Sequence, residues 1–212
     1  MVDIFDDIPE NVSIEIKDNK IKKGEEINLT AKDPTMSSIM VGVGWEQNAF
    51  EGDVLDVDVS CFLLGKNEKT RKDSDFIFYN NERDEDESVV HNGDSRTGAG
   101  DGDDESISID LNKIPYEVVK VMFTFSIYKG EEKDQFLSKM RKGYIRVINA
   151  SNSQEILRYN LDEDVEGVHV TGMLAGVLKR EGPKWHFEAL GEPVEGGLGA
   201  IATGYDIIVH GG

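Results

Sequence analysis

Apolar residues recur at every second position through most of the chain. Val57, Val59, Cys61 and Leu63 alternate, which sends Asp56, Asp58 and Ser60 to the opposite face of a strand. VSIEIK over Val12 to Lys17 alternates too, as do Ile107, Ile109 and Leu111. SIMVGVGW over Ser38 to Trp45 and VVKVMFTFSIY over Val118 to Tyr128 read as buried strands, rich in β-branched and aromatic residues. Phe76 to Tyr79, Tyr144 to Ile148, Ile156 to Tyr159, Trp185 to Ala189 and Tyr205 to Val209 predict further short strands. Helical spacing is scarce. It predicts one helix over Glu131 to Lys142 through Phe136, Leu137 and Met140. Asp164 to Leu178 fits a strand pair or a helix, and the glycine-rich stretch Gly191 to Gly204 reads as loop. Many short strands with few helices predict an all-β, two-sheet β-sandwich carrying one or two short helices.

Charge adds a location to this picture. The 212 residues carry a formal net charge of −19. Twelve acids lie between Asp73 and Glu105 against Arg83 and Arg96 alone, so more than half of the excess sits in a 33-residue window. Such a chain repels polyanions, which speaks against nucleic acid as a direct ligand and against anionic lipid surfaces. Cys61 is the single cysteine, so no intrachain disulfide forms. MVDIFDDIPE has no basic start or long apolar run, and no stretch of about 18 apolar residues occurs. These features predict a cytoplasmic protein that does not insert into membranes.

Within the window, DSDFIFYNN (Asp73 to Asn81) and GDSRTGAGDGDDE (Gly93 to Glu105) stand out. The second holds five acids among four glycines and no large apolar side chain. Glycine lets a loop fold tightly enough for several oxygens to face one point, and Ca²⁺ takes six to eight oxygens. Two carboxylates ~5 Å apart at an effective dielectric of ~20 repel by roughly 3 kcal/mol. The loop is therefore expected to order when a cation screens it. Asn80 and Asn81 offer neutral oxygens nearby, whereas Glu82 to Glu87, without glycine, reads as a solvated loop apex. Asp94 and Glu105 have EF-hand separation, but Arg96 and Gly98 occupy ligand positions and Ala99 stands at the turn glycine, so this is no EF-hand. The single GAGDGD does not make a β-helix repeat, and flanking carboxylates exclude a phosphate cradle. His91, His169, His186 and His210 show no zinc-ligand spacing.

These two segments resemble the signature of the TerD family, the tellurium-resistance and general stress proteins of bacteria. Ile21-Lys22-Lys23-Gly24 with Leu29 resembles its opening element, VGVGW (Val41 to Trp45) its "GLGW", and DVDVSCFLL (Asp56 to Leu64) its "DLDASAFLL". Ile114-Pro115, then Gly176, Leu178 and Arg180 with Trp185, Phe187, Ala189 and Gly191, and finally Gly197-Leu198 and Tyr205, extend the similarity over about residues 21 to 205. The resemblance implies a domain over 21–209, with 1–20 an N-terminal extension and 210–212 a tail. It implies a β-sandwich with acidic Ca²⁺-binding loops at one end holding two Ca²⁺, and no catalytic activity. By position it implies metal-ligand status for Asp73, Asp75, Asn80, Asn81, Asp94, Asp101, Asp103, Asp104 and Glu105. It adds Asp56 and Asp58, which periodicity alone leaves as the outer face of a strand. It implies partners among other tellurium-resistance proteins, some membrane-bound.

The function expected is thus a calcium-binding stress-response module acting through metal-ordered loops and protein partners. Two alternatives stand beside it. One is a calcium-dependent sugar-binding sandwich, with Tyr79 as the aromatic residue near the loop. The other is a Mg²⁺-dependent phosphoester hydrolase or a glycosidase carboxylate pair, disfavoured because no Lys, Arg or His cluster accompanies the acids. Thiol reduction of tellurite is disfavoured by the single Cys61.

Overall fold

The computed structural model describes residues 19–46, 55–93 and 102–208. Among the described residues twelve strands form two six-stranded sheets. The first sheet runs in the order β1 (Lys20–Ile21), β10 (Gln154–Asn160), β9 (Arg141–Asn149), β3 (Ser38–Glu46), β7 (Glu105–Asp110), β6 (Val89–His91). The second runs β2 (Glu26–Asn28), β12 (Lys184–Val194), β11 (Gly172–Glu181), β8 (Lys120–Ile127), β4 (Val57–Leu64), β5 (Phe76–Ile77). Every pairing is antiparallel except β1 with β10. The helices are α1 (Leu29–Lys32), α2 (Asp162–Val165) and α3 (Gly197–Gly204). The expected all-β sandwich is the fold observed.

Alternation decides which face goes where. Ile39, Val41 and Val43 on β3 meet Val57, Val59, Cys61 and Leu63 on β4, with Phe123 and Phe125 on β8, in one core between the sheets. Burying a side chain such as Phe123, fully enclosed, stabilises by roughly 2–3 kcal/mol. A second cluster lies on the outer face of the second sheet, where Phe62, Leu64, Phe76, Met122 and Val177 pack against Ile201, Ala202 and Ile207. All eight residues of β4 are therefore buried, Asp58 and Ser60 included.

Four local expectations are corrected. Glu131 to Lys142 forms no α-helix: Lys129 and Asp134 take positive φ, and only a 3₁₀ turn forms, Leu137–Lys139. Its three-residue spacing is enough to bury Leu137 and Met140, and β9 claims the chain from Arg141. Gly191 to Gly204 is not all loop. Burial of Ile201 and Ala202 on the second sheet outweighs the weak helix propensity of its glycines, and α3 forms there. Tyr205 accordingly caps α3 instead of opening a strand, its N–H donating to Ile201 and Ala202 oxygens; Val209 lies outside the described residues, as does the strand expected over 12–17. Phe76 to Tyr79 is strand for two residues only, since Phe78 and Asn81 then close a tight turn.

Candidate metal site

One end of the sandwich gathers five of the candidate carboxylates, Asp56, Asp58, Asp103, Asp104 and Glu105. There β3 ends, β4 begins, β6 ends and β7 begins: Val43 faces Glu105, His91 faces Ile107, and the Val59 N–H donates to Glu105 Oε2 at 2.8 Å. The segments 47–54 and 94–101 lie outside the described residues. Asp94 and Asp101 belong to the second of them.

The nine other candidates take distinct positions. Glu105, 3% exposed, points between the sheets, with His91 Nε2 3.5 Å from its Oε2. Burial opposes a charge on His91, but Glu105 outweighs it and the imidazole pKa is raised. Asp104, 8% exposed, accepts the Trp45 N–H at 2.8 Å; burial, with added repulsion from Asp103, raises its pKa. Asp103 turns to the outer face of the first sheet. There Arg146 grips it through two bonds of 2.7 and 3.0 Å, and the Tyr144 hydroxyl donates at 2.9 Å. Asp58, 8% exposed, lies on the outer face of the second sheet opposite Ser126. Asp56 is partly exposed, with Lys133 3.9 Å away.

The DSDFIFYNN acids do not join them. Phe76 lies opposite Phe62, four residues along β4 from Asp58, so Asp75 sits about 15 Å from Asp58 at strand rise. Asp75 is fully buried, and Arg71 occupies both its oxygens at 2.8 and 2.7 Å. Asp73 opens the 3₁₀ turn Asp73–Asp75. Asn81 donates its amide to the Phe76 carbonyl at 2.6 Å within its own turn, and Asn80 is exposed on that turn. Asp84, in the segment expected to be a solvated apex, is instead 2% exposed and accepts from the Ser88 hydroxyl and the Val89 N–H, both at 2.8 Å.

Asp103, Glu105 and Asp58 thus leave the same end toward three different sides. Among the described residues no group of three or more His, Cys, Asp or Glu is placed to hold a metal ion. The donor chemistry still suits a hard cation, being carboxylate oxygen throughout. The described acids constitute at most part of a coordination sphere.

The glycines of VGVGW have a structural explanation that spacing alone did not offer. A Cβ on Gly42 would sit 2.0 Å from Asp103 Oδ2, and one on Gly44 would sit 2.5 Å from the Tyr144 hydroxyl. Both glycines clear the surface across which Asp103 and Tyr144 lie. Cys61 is fully buried and burial pushes its thiol pKa well up. Labelling by a thiol reagent is therefore expected to be at least about a hundredfold slower in the native protein than in denaturant; comparable rates would contradict the buried position.

The family model described as the TerD domain matches residues 18–205. Tellurium resistance protein TerD of Serratia marcescens is 42% identical over 187 residues, which is 88% of this chain and 96% of that protein. General stress protein 16U of Bacillus subtilis (strain 168) is 37% identical over 190 residues, 89% of this chain and 97% of that protein. Among solved structures, a homologue of telluride resistance protein (TerD) from Streptomyces coelicolor A3(2) superposes with a TM-score of 0.63 at 13% identity. It covers 79% of this chain and 95% of that one, and shows the same fold.

Proposed function

This chain belongs to the TerD domain family, and from that membership we propose that it is a calcium-binding stress-response module that acts by binding protein partners. The observation that carries the calcium reading is the burial of three carboxylates, Asp58, Asp104 and Glu105, each at most 8% exposed, at the end where the acidic segments meet the strands. Buried carboxylates are costly without compensating cations. Among the described residues the ion pairs at this end include His91 with Glu105 at 3.5 Å, Lys133 with Asp56 at 3.9 Å and Arg146 with Asp103 at 2.7 Å. A divalent ion shared with the neighbouring segment would supply further compensation. Asp56 and Asp58 would be the described ligands of one such ion and Asp104 and Glu105 those of another, with Asp94 and Asp101 completing the sets. Two ions would add four positive charges to the chain.

Ca²⁺ contributes charge neutralisation and order, and the protein acts by binding, with no catalytic step assigned. The partners proposed are other tellurium-resistance proteins, membrane-bound ones included, met from the cytoplasm. No helix among the described residues is long and apolar enough to cross a membrane.

Trp45 provides the test. Its backbone N–H donates to Asp104, and its ring is 5% exposed at this end. Trp185, the second tryptophan, lies beside the β11–β12 turn under the Arg180 guanidinium. In a Trp185→Phe background, Ca²⁺ titration is expected to change Trp45 emission saturably, with Mg²⁺ a poor competitor. Glu105→Gln, which keeps an acceptor for the Val59 N–H, is expected to weaken Ca²⁺ binding at least about tenfold. Flat fluorescence together with a flat calorimetric titration would remove calcium from the reading and leave the fold.

A further inference from the structure

The outer face of the second sheet carries a cavity of about 340 Å³ that the calcium reading does not use as a whole. Its floor is Asp58, Ser126 and Thr171; its walls are Tyr79, Tyr128 and the start of α3 at Gly196, Gly197 and Leu198. The volume is at the small end of ligand pockets, which run from about 300 to 1,000 Å³.

The helix end is placed there by close backbone packing. Gly172 lies opposite Ser126, and a Cβ on it would come within 2.8 Å of Gly197 Cα, so α3 starts directly on the sheet. Gly196 and Gly197 both take positive φ, and no side chain caps the helix. The first N–H groups of α3 therefore lack acceptors within the helix. Two further polar groups face the same space. Ser126 and Thr171 are 3% and 6% exposed, line the cavity, and their hydroxyls make no hydrogen bond among the described residues. Their oxygens are not among the enclosed polar atoms left without a partner, so they open into the cavity, where a ligand can pair with them beside the uncapped helix end.

Local charge selects the chemistry of that partner. Asp58, Glu131 and Glu132 outnumber Lys129 around the cavity, which repels a phosphate-like anion. The positive end of α3 repels any cation beyond one held at Asp58, and Lys129 and Lys133 already lie 5.7 and 5.3 Å from the Tyr128 ring centre. A neutral ligand meets neither penalty. Hydroxyls that both donate and accept, N–H donors and a carboxylate acceptor suit a molecule dense in hydroxyl groups. Tyr79 and Tyr128, 39% and 43% exposed, offer apolar ring surface to its C–H face. We propose that this cavity binds a small neutral polyhydroxylated ligand, a monosaccharide or cyclitol, between the start of α3 and the Asp58–Ser126 floor. The proposal goes beyond the calcium reading and stands on different residues apart from Asp58.

The ¹⁵N-labelled full chain is titrated with D-glucose, D-mannose, D-galactose and myo-inositol, and separately with inorganic phosphate, in Ca²⁺ and again in EDTA. Saturating amide shifts at Ser126, Thr171, Gly197 and Leu198 with at least one polyol, in either condition, are expected, with none from phosphate. Thr171→Val and Ser126→Ala are each expected to weaken that binding roughly tenfold, the worth of one or two neutral hydrogen bonds. Both keep side-chain size close to native, and unchanged dispersion elsewhere in the spectrum verifies the fold. Absence of polyol shifts in both conditions up to a tenth molar, or shifts from phosphate alone, overturns the proposal. Polyol shifts support it with or without bound metal, so this titration and the Trp45 titration fail independently.

Discussion

Arg71→Met is expected to destabilise the protein by about 3 kcal/mol, with addition of Ca²⁺ recovering none of the loss. Asp75 has no exposed surface, and Arg71 meets both its oxygens and donates its own backbone N–H at 2.9 Å. Methionine keeps much of the stem and removes the guanidinium, leaving a carboxylate buried without its cation. Breaking a buried pair in this way costs about 3–5 kcal/mol, and the 24% exposure of the Arg71 side chain, which admits water, favours the lower figure. For a domain of this size that is about 6–12 °C in Tm. The second pair, Arg71 with Glu117 at 3.9 Å, is too exposed to add much. The double variant Arg71→Met/Asp75→Leu is expected to regain most of the stability, because an apolar pair of similar volume replaces a buried ion pair at little cost. Thermal unfolding of the three proteins with and without Ca²⁺ decides the role of Asp75. Rescue of Arg71→Met by Ca²⁺ would make it a metal ligand; insensitivity to Ca²⁺ would make DSDFIFYNN a folding motif at this position.

Gly42→Ala is expected to cost about 3 kcal/mol, an unusual loss for one methyl group on the outer face of a sheet. The added Cβ falls 2.0, 2.3 and 2.7 Å from three atoms of the Asp103 carboxylate group. Asp103 cannot yield cheaply, since Arg146 holds it with two bonds, and Arg146 in turn binds Glu155 at 3.0 Å. That network holds the Arg146 pKa above its ordinary range: burial opposes the charge, and the bonds from Asp103 and Glu155 outweigh it. Either β3 moves away from β7 and β9 or the network breaks, and both lower stability. Gly102→Ala is the control, because a Cβ there meets nothing within 4 Å and its cost is expected within about 0.5 kcal/mol. Urea unfolding of the two variants makes the comparison. Equal midpoints would show that the Asp103 side chain sits elsewhere in solution.

Strand content was legible because an alternating face can be buried only one way. Asp56, Asp58 and Ser60 were placed opposite Val57, Val59 and Cys61 by period alone, and the structure has them there. What period could not show is that the outer face of β4 is buried as well, under α3. That helix was missed because its glycines have low propensity and its stability comes from Ile201 and Ala202 packing on a distant sheet. The expected helix over Glu131 to Lys142 failed for a related reason. Three-residue spacing serves a 3₁₀ turn as well as an α-helix, and strand pairing from Arg141 decided between them. The cavity residues Ser126 and Thr171 left no sequence signal, since they come from separated segments and neither is unusual in its own context; Gly197 stood out only through the resemblance.

The acidity with which the chain announces itself divides in the same way. Its amount, its concentration between Asp73 and Glu105 and its likeness to the TerD signature follow from residue identities alone. Which carboxylates can act together does not, because side-chain direction depends on strand face and register. Pairing sends Asp103 over Gly42 to Arg146, Glu105 inward to the Val59 N–H, Asp58 outward beside Ser126, and Asp75 to Arg71 well along β4. One residue of register reverses a face, and a charge density cannot encode that; only the hydrogen-bonded sheets do.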